Sequence, residues 1–114
     1  FSKNERTFML LKCLAINPPW AELIITGKKD IENRAWATKH RGPLAIYETR
    51  NGGGRGAVIG VVDVVDCVNS HSSTYFTGPW GFVLQNPRRI DPVPVRGKPG
   101  LFPVEIHSGP VAPE

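Results

Sequence analysis

Short apolar runs bounded by turn residues recur along most of the 114-residue chain. Many runs are rich in β-branched residues, and Gly, Pro, Asn and Asp stand between them, as is typical of short β-strands joined by tight turns. The strongest run, AVIGVVDVVDCV at 57–68, is long enough to bend at Gly60. We predict strands at 8–16, 30–36, 44–48, 57–68, 80–84, 90–95 and 101–106.

One helical pattern follows the first predicted strand. Asn17 is a favourable N-cap, and the two prolines after it suit a first helical turn. Trp20 and Ile24 then recur at helical spacing before Gly27 ends the segment. We predict a short helix at 18–27, and the absence of further strand and helix alternation argues against a doubly wound parallel sheet.

These elements predict a mainly β fold with one or two short helices, arranged as a bent β-barrel. Twelve glycines and eleven prolines fit a chain of many strands and turns. We expect a single domain over residues 1–114, with flexible ends at 1–7 and 107–114 and a flexible glycine-rich loop at 50–56.

Composition excludes several classes of protein. With 40% hydrophobic and 21% charged residues, the chain is neither disordered nor fibrous, and no apolar run is long enough to span a bilayer. Cys13 and Cys67 lie in apolar runs and form no CxxC unit, so we expect two buried thiols in a reduced, cytoplasmic protein. The three histidines are far apart along the chain, so we expect no metal and no other cofactor.

Positive charge is concentrated in two segments. The formal net charge is +4, from 14 basic and 10 acidic residues, and the excess lies in 28–55 and 88–100. Such asymmetry suggests a basic surface that faces an anion, most commonly the phosphates of RNA or DNA. Charge alone is equally compatible with a solvated basic face. The basic residues singled out are Lys28, Lys29, Arg34 and Arg41 in the first segment and Arg88, Arg89, Arg96 and Lys98 in the second.

The segment GKKDIENRAW at 27–36 holds the densest run of functional side chains. Lys29 lies at the corner between helix and strand, and Glu32, Arg34 and Trp36 share one predicted strand face because strand side chains alternate. A carboxylate beside two cations can orient them toward a phosphate or a carbonyl, and Trp36 offers a flat surface for a base. The alternative is a half-buried Glu–Arg pair that only closes one end of the barrel.

Several segments together resemble the ASCH domain family of the PUA-like superfamily. They are CLAINPPWAELI at 13–24, GKKDIENRAW at 27–36, HRGPLAI at 40–46, GVVDVVDC at 60–67 and GFVLQNP at 81–87. The second segment meets the GxKxxExR signature of that family. The resemblance implies a PUA-like β-barrel, a cleft where Lys29, Glu32 and Arg34 gather, and binding of RNA or another nucleic acid. It also implies that Trp20 and Trp36 lie near the cleft, although Trp20 fits a core position equally well.

Two departures from the family pattern bear on function. A bacterial branch similar to this family hydrolyses the amide of an acylated cytidine with a threonine, a lysine and a glutamate. Lys29 matches the lysine of that branch, but Glu32 occupies the position of the threonine. The segment 69–79, roughly where the glutamate of the branch would fall, contains no Asp or Glu. Many relatives also carry a helical insert where this chain has only 50–56, which leaves one wall of the cleft open to question.

The sequence therefore predicts an RNA-binding module. Lys28, Lys29, Arg34 and Arg41 would contact phosphates, with help from the second basic segment, while Glu32 holds the cations in place. Two alternatives stay open at this point. One is a hydrolase that acts on a modified nucleoside or on RNA with Lys29 and Glu32 as reacting groups, and the other is a protein-interaction module that uses the edge strand at 90–95.

Overall fold

Six strands and one α-helix make up residues 7–108, the part of the chain that the computed structural model describes. The mainly β prediction is thereby confirmed. In chain order the elements are β1 (Thr7–Ile16), α1 (Trp20–Ile25), β2 (Ile31–Arg34), β3 (Gly42–Glu48), a 3₁₀ turn (Asn51–Gly53), β4 (Ala57–Val68), β5 (Trp80–Pro94) and β6 (Leu101–Ser108).

The strands form one sheet in the order β2-β5-β4-β3-β1-β6. Neighbouring strands are antiparallel except β1 and β3, which run parallel because α1 and β2 intervene between them. The sequence analysis did not foresee this parallel pair. The sheet has two free edges, β2 and β6, so the barrel of the prediction is a strongly bent sheet that backbone hydrogen bonds do not close.

Bulges supply the bend. The register between β4 and β5 shifts at three places, between Val58/Gly60, Val61/Asp63 and Val64/Asp66, and each extra residue turns the strand and increases its twist. Gly60 lies at the first of them, where a Cβ would lie 2.6 Å from the Arg88 carbonyl oxygen and 2.6 Å from Ile25 Cδ1. Only glycine allows this close approach of strand and helix, which explains the predicted bend at that position.

Apolar side chains fill both faces of the sheet because successive strand residues point to opposite sides. Leu14 belongs to the cluster under α1, and Cys13 belongs to the cluster on the other face. The first cluster comprises Leu14, Ile16, Ala21, Ile24, Ile25, Leu44, Ile46, Ile59, Val62, Val64, Phe82 and Leu84. The second comprises Cys13, Ala45, Tyr47, Val58, Phe102, Val104 and Ile106.

The largest difference from the predicted elements is β5. Separate strands at 80–84 and 90–95 were expected, but the structure has one continuous strand over Trp80–Pro94. Asn86 takes a positive φ of 52° and donates through Nδ2 to Asp63 on β4 at 3.0 Å. The residue therefore bends the strand without reversing it, because the long β4 keeps pairing beyond the bend.

The chain ends were predicted to be flexible at 1–7 and 107–114. The structure instead pairs Thr7 with Ser108 and Phe8 with His107, so β1 and β6 extend each other by backbone hydrogen bonding. The remaining positions, 1–6 and 109–114, lie outside the described residues. Within 7–108 the one α-helix is far too short to cross a membrane.

Both cysteines are free thiols, with different surroundings. Cys13 is fully buried, and burial raises the pKa of its thiol to about 12. Cys67 is half-buried and accepts a hydrogen bond from the Thr38 N–H at 3.5 Å. Since the thiolate is the reactive form, the fold protects Cys13 more than Cys67.

We expect a thiol reagent such as dithionitrobenzoate to modify Cys67 in the native protein and Cys13 only after unfolding. The measurement uses the Cys67→Ser variant, with absorbance followed before and after addition of guanidinium chloride. The native variant should release no chromophore because its one thiol is both inaccessible and protonated at pH 8. Fast labelling of the native variant would contradict the burial of Cys13.

Candidate functional site

The corner between α1 and β2 directs Lys29 into the fold. Gly27 ends the helix with a φ of +83°, a left-handed conformation that favours glycine. Its N–H donates to the Ile24 carbonyl at 3.0 Å, and the Lys29 N–H donates to the Leu23 carbonyl at 2.9 Å. The chain thus folds back over the helix end, and Lys29 is only 5% exposed.

Lys29, Glu32 and Arg34 form one ion cluster. Lys29 Nζ lies 3.0 Å from Glu32 Oε1, and it also donates to the Ile31 carbonyl. Arg34 Nε and Nη2 lie 3.0 and 2.9 Å from Glu32 Oε2. Each oxygen of a carboxylate that is itself only 8% exposed therefore faces one cation.

Arg34 also joins distant parts of the sheet. Its Nη2 donates to the Ala15 carbonyl at 2.8 Å, and Ala15 lies on β1 whereas Arg34 lies on the edge strand β2. This geometry corresponds to the structural alternative, in which the Glu–Arg pair closes one end of the barrel. The Arg34 guanidinium therefore links β2 to β1 on the side of the sheet that backbone hydrogen bonds do not close.

A cavity of about 420 Å³ opens between the start of α1, β2 and the loop that connects β4 to β5. Its lining residues are Trp20, Lys29, Glu32, Asn33, Thr74, Tyr75 and Thr77. The volume is within the range of small-molecule sites, and the lining residues include two aromatic side chains, two threonines and a buried ion pair.

Asn33 holds the loop at 69–79 against the cavity. Its Nδ2 donates to the Tyr75 carbonyl at 2.9 Å, and its Oδ1 accepts from the N–H groups of Thr77 and Gly78 at 2.8 and 3.1 Å. A second attachment is the Ser73 hydroxyl, which donates to Asp30 Oδ1 at 2.6 Å. The loop residues Thr74, Tyr75 and Thr77 form one wall as a result.

The sequence analysis missed this wall. It placed Asn33 on the opposite strand face from Glu32 and assigned no site residue to 69–79. One signal was available, since asparagine is disfavoured inside strands and usually bonds to nearby backbone. The local sequence pattern does not show which loop Asn33 binds, because that contact depends on the tertiary fold.

The two predicted cleft tryptophans have different positions. Trp20 is 46% exposed and lines the cavity, so it is not a core residue. Trp36 follows the end of β2, and its ring meets Phe82 edge to face at 5.3 Å instead of lining the cavity. Of the two tryptophans, Trp20 is the one that can contact a ligand in the cavity.

The other predicted cations lie outside the cavity lining. Lys28 is exposed beside Lys29 in the chain. Arg41 lies 3.7 Å from Asp66, Arg88 lies 3.1 Å from Asp63, and Arg89 pairs with Glu22. Arg96 and Lys98 are exposed and form no ion pair within the described residues.

Replacing Asn33 with alanine should loosen the loop wall without removing a charge. The variant loses three hydrogen bonds to the loop, so amide exchange at 75–78 should accelerate about tenfold or more, which corresponds to about 1–3 kcal/mol of lost local stability. Hydrogen–deuterium exchange measured by mass spectrometry checks this. Asn69→Ala, at an exposed position in the same loop, is the matched control, and equal exchange in the two variants would contradict the assignment.

Known proteins match this chain in sequence and in fold. The sequence model of the ASCH domain matches residues 14–94, which include α1, the ion cluster and the loop at 69–79. Human activating signal cointegrator 1 is 27% identical over 134 residues, covering 85% of this chain and 23% of the relative. Its mouse counterpart is 49% identical over 37 residues, covering 32% of this chain and 6% of the relative. The chain thus spans less than a quarter of either protein.

The alignment to the human relative is longer than this whole chain, 134 positions against 114 residues. The relative therefore carries residues inside the matched region that this chain lacks.

Among solved structures, the ASCH protein from Zymomonas mobilis has a TM-score of 0.58 at 22% identity, covering 74% of this chain and 73% of that one. At this identity the likeness concerns the fold alone, and it agrees with a bent, mostly β sheet with one short helix. The sequence match covers most of the chain, and the signature residues form a single ion cluster beside a cavity. The chain belongs to the ASCH domain family.

Proposed function

We propose that this domain binds single-stranded RNA by taking one unstacked base into the cavity. The observation that carries the proposal is the composition of the cavity wall: two aromatic side chains, Trp20 and Tyr75, stand in the same 420 Å³ space as the Lys29–Glu32 ion pair. Aromatic rings stack on the faces of a base, and polar groups bond to its edge.

The charge of the lining favours a base over a phosphate inside the cavity. Lys29 and Glu32 both line it and cancel each other, while Arg34, the third member of the cluster, does not line it. Transfer from water into such a cavity costs less desolvation free energy for a neutral polar group than for a charged phosphate. Lys29 as donor and Glu32 as acceptor stand side by side, which complements the adjacent acceptor and donor groups on a base edge.

Phosphates would then contact cations outside the cavity. Lys28 is exposed and adjacent in the chain to a lining residue, so it is the first such contact we propose. Contacts by Arg41, Arg88 and Arg89 would require each guanidinium to exchange a carboxylate for a phosphate. Membership of the ASCH family supports the same function, because the family resemblance implies nucleic-acid binding.

A hydrolytic function is the second candidate, favoured by one observation. Thr74 and Thr77 line the same cavity as Lys29 and Glu32, so a threonine, a lysine and a glutamate share one space, although only Lys29 occupies the chain position that its counterpart has in the hydrolytic branch. Such a set could open the amide of an acylated nucleoside.

Chromatography of acylated cytidine after incubation with the protein tests the second candidate. Hydrolysis that disappears in Thr74→Val or Thr77→Val, with the fold intact, would establish it. Unchanged nucleoside after prolonged incubation with the wild type would leave binding as the function.

For the RNA-binding function, Trp20→Leu should weaken the affinity for a short single-stranded RNA by about tenfold or more, because stacking on one aromatic side chain contributes about 1–3 kcal/mol per base. Fluorescence anisotropy with a labelled RNA of mixed sequence measures the Kd. The substitution should leave the fold unchanged, since Trp20 is 46% exposed.

Trp36→Leu is the matched control because Trp36 lies outside the cavity lining. Its Kd should stay within about twofold of the wild type. Loss of affinity in Trp36→Leu alone would move the stacking surface to Trp36, as the sequence suggested. An affinity that is unchanged between low and moderate salt would count against RNA as the ligand, since phosphate contacts release counterions.

A further inference from the structure

The backbone of the edge strand β2 carries hydrogen-bonding groups that the proposed RNA site has not yet used. In an antiparallel pair, the backbone groups of successive residues point alternately toward the partner strand and away from it. The Leu84 N–H donates to the Asp30 carbonyl at 3.0 Å, and the register between β2 and β5 is unbroken from there. The backbone of Glu32 therefore also faces β5, whereas the backbone groups of Ile31 and Asn33 face the free edge of the sheet.

A side-chain contact supports this orientation independently. Lys29 Nζ donates to the Ile31 carbonyl, so this carbonyl points away from β5 and toward Lys29. Lys29 and Asn33 both line the cavity of about 420 Å³. The free edge of β2 therefore borders the cavity.

The side chain of Asn33 is fully engaged with the loop at 69–79, but its backbone is not. Nδ2 donates to the Tyr75 carbonyl, and Oδ1 accepts from the N–H groups of Thr77 and Gly78. Among residues 7–108, no turn, loop or side-chain hydrogen bond uses the Asn33 N–H or C=O, and both groups point away from β5. Asn33 is half-buried, so these two groups are open to a ligand that enters the cavity.

We propose that the backbone N–H and C=O of Asn33 read the edge of the base that enters the cavity, an inference that rests on the proposed RNA-binding function. The two groups lie side by side and point the same way, as they do in a residue that bonds to a neighbouring strand. A base edge with an acceptor next to a donor complements them, because it accepts from the N–H and donates to the C=O. Lys29 and Glu32 line the same cavity and bond to polar groups that remain on the base.

The ligand class that follows is a base whose Watson–Crick edge is unsubstituted. Uracil and guanine present an N–H beside a C=O, a lactam edge, and adenine and cytosine present an amino group beside a ring nitrogen, an amidine edge. A methyl group on the ring nitrogen N3 of uracil removes the donor and places a carbon atom against the Asn33 carbonyl, which is left unpaired. A methyl group at C5 lies on a different edge of the ring and leaves the donor in place.

Amide exchange followed by NMR tests the role of the backbone directly, with Glu32 as an internal control. In the free protein the Asn33 N–H should exchange at least about tenfold faster than the Glu32 N–H, which pairs with β5. Saturation with hexauridylate should slow exchange at Asn33 at least about tenfold and leave exchange at Glu32 unchanged. An Asn33 amide that exchanges equally fast in the free protein and in the complex would overturn the proposal.

Fluorescence anisotropy with labelled hexanucleotides measures the discrimination between bases. The hexamer of 3-methyluridine should bind at least about tenfold more weakly than hexauridylate, whereas the hexamer of 5-methyluridine should bind within about twofold of it. Equal affinity for the two methylated hexamers would overturn this inference and leave RNA binding in place. The ratio of the affinities for hexauridylate and hexacytidylate tells whether the lactam or the amidine edge is preferred. Failure of both unmethylated hexamers to bind would reject the RNA-binding function itself.

Discussion

The carboxylate of Glu32 is the constraint on which the candidate site depends. It is almost fully buried and holds Lys29 on one oxygen and Arg34 on the other. A buried ammonium and a buried carboxylate are each costly alone, and loss of one partner from such a pair typically costs about 3–5 kcal/mol. The Glu32 side chain therefore links the corner after α1, the edge strand β2 and the part of the cavity that Lys29 and Glu32 line.

The ion cluster of Lys29, Glu32 and Arg34 also helps to hold the bent sheet together, because Arg34 links β2 to β1. Register shifts between β4 and β5 and the absence of a side chain at Gly60 allow the sheet to bend, but backbone hydrogen bonds do not close it into a barrel. Arg34 spans the gap by donating to Ala15. A half-buried arginine thus has a structural role, whereas the lysine and the glutamate of the same signature are the members that a guest can reach.

The sequence predicted the strands well where their pattern was local, and it failed where tertiary contacts decided. Ala57–Val68 was bounded correctly because its β-branched run has clear ends. Asn86 and Pro87 looked like a turn because both residues favour turns, but pairing with β4 kept β5 continuous. Lys29, Glu32 and Arg34 were found together because they are near in the chain. The loop wall was not found, because its link to Asn33 crosses more than forty residues.

The way in which the loop at 69–79 is attached divides the cavity residues into two groups, and a substitution has different consequences in each group. Lys29 and Glu32, which line the cavity, also belong to the ion cluster that holds β2 in place, so a substitution there disturbs the sheet as well as the cavity. The wall residues Thr74, Tyr75 and Thr77 are carried by a segment held through Asn33 and Asp30. As long as those two attachments persist, the side chains of Thr74, Tyr75 and Thr77 can be replaced, and the shape of the cavity changed, without disturbing the sheet.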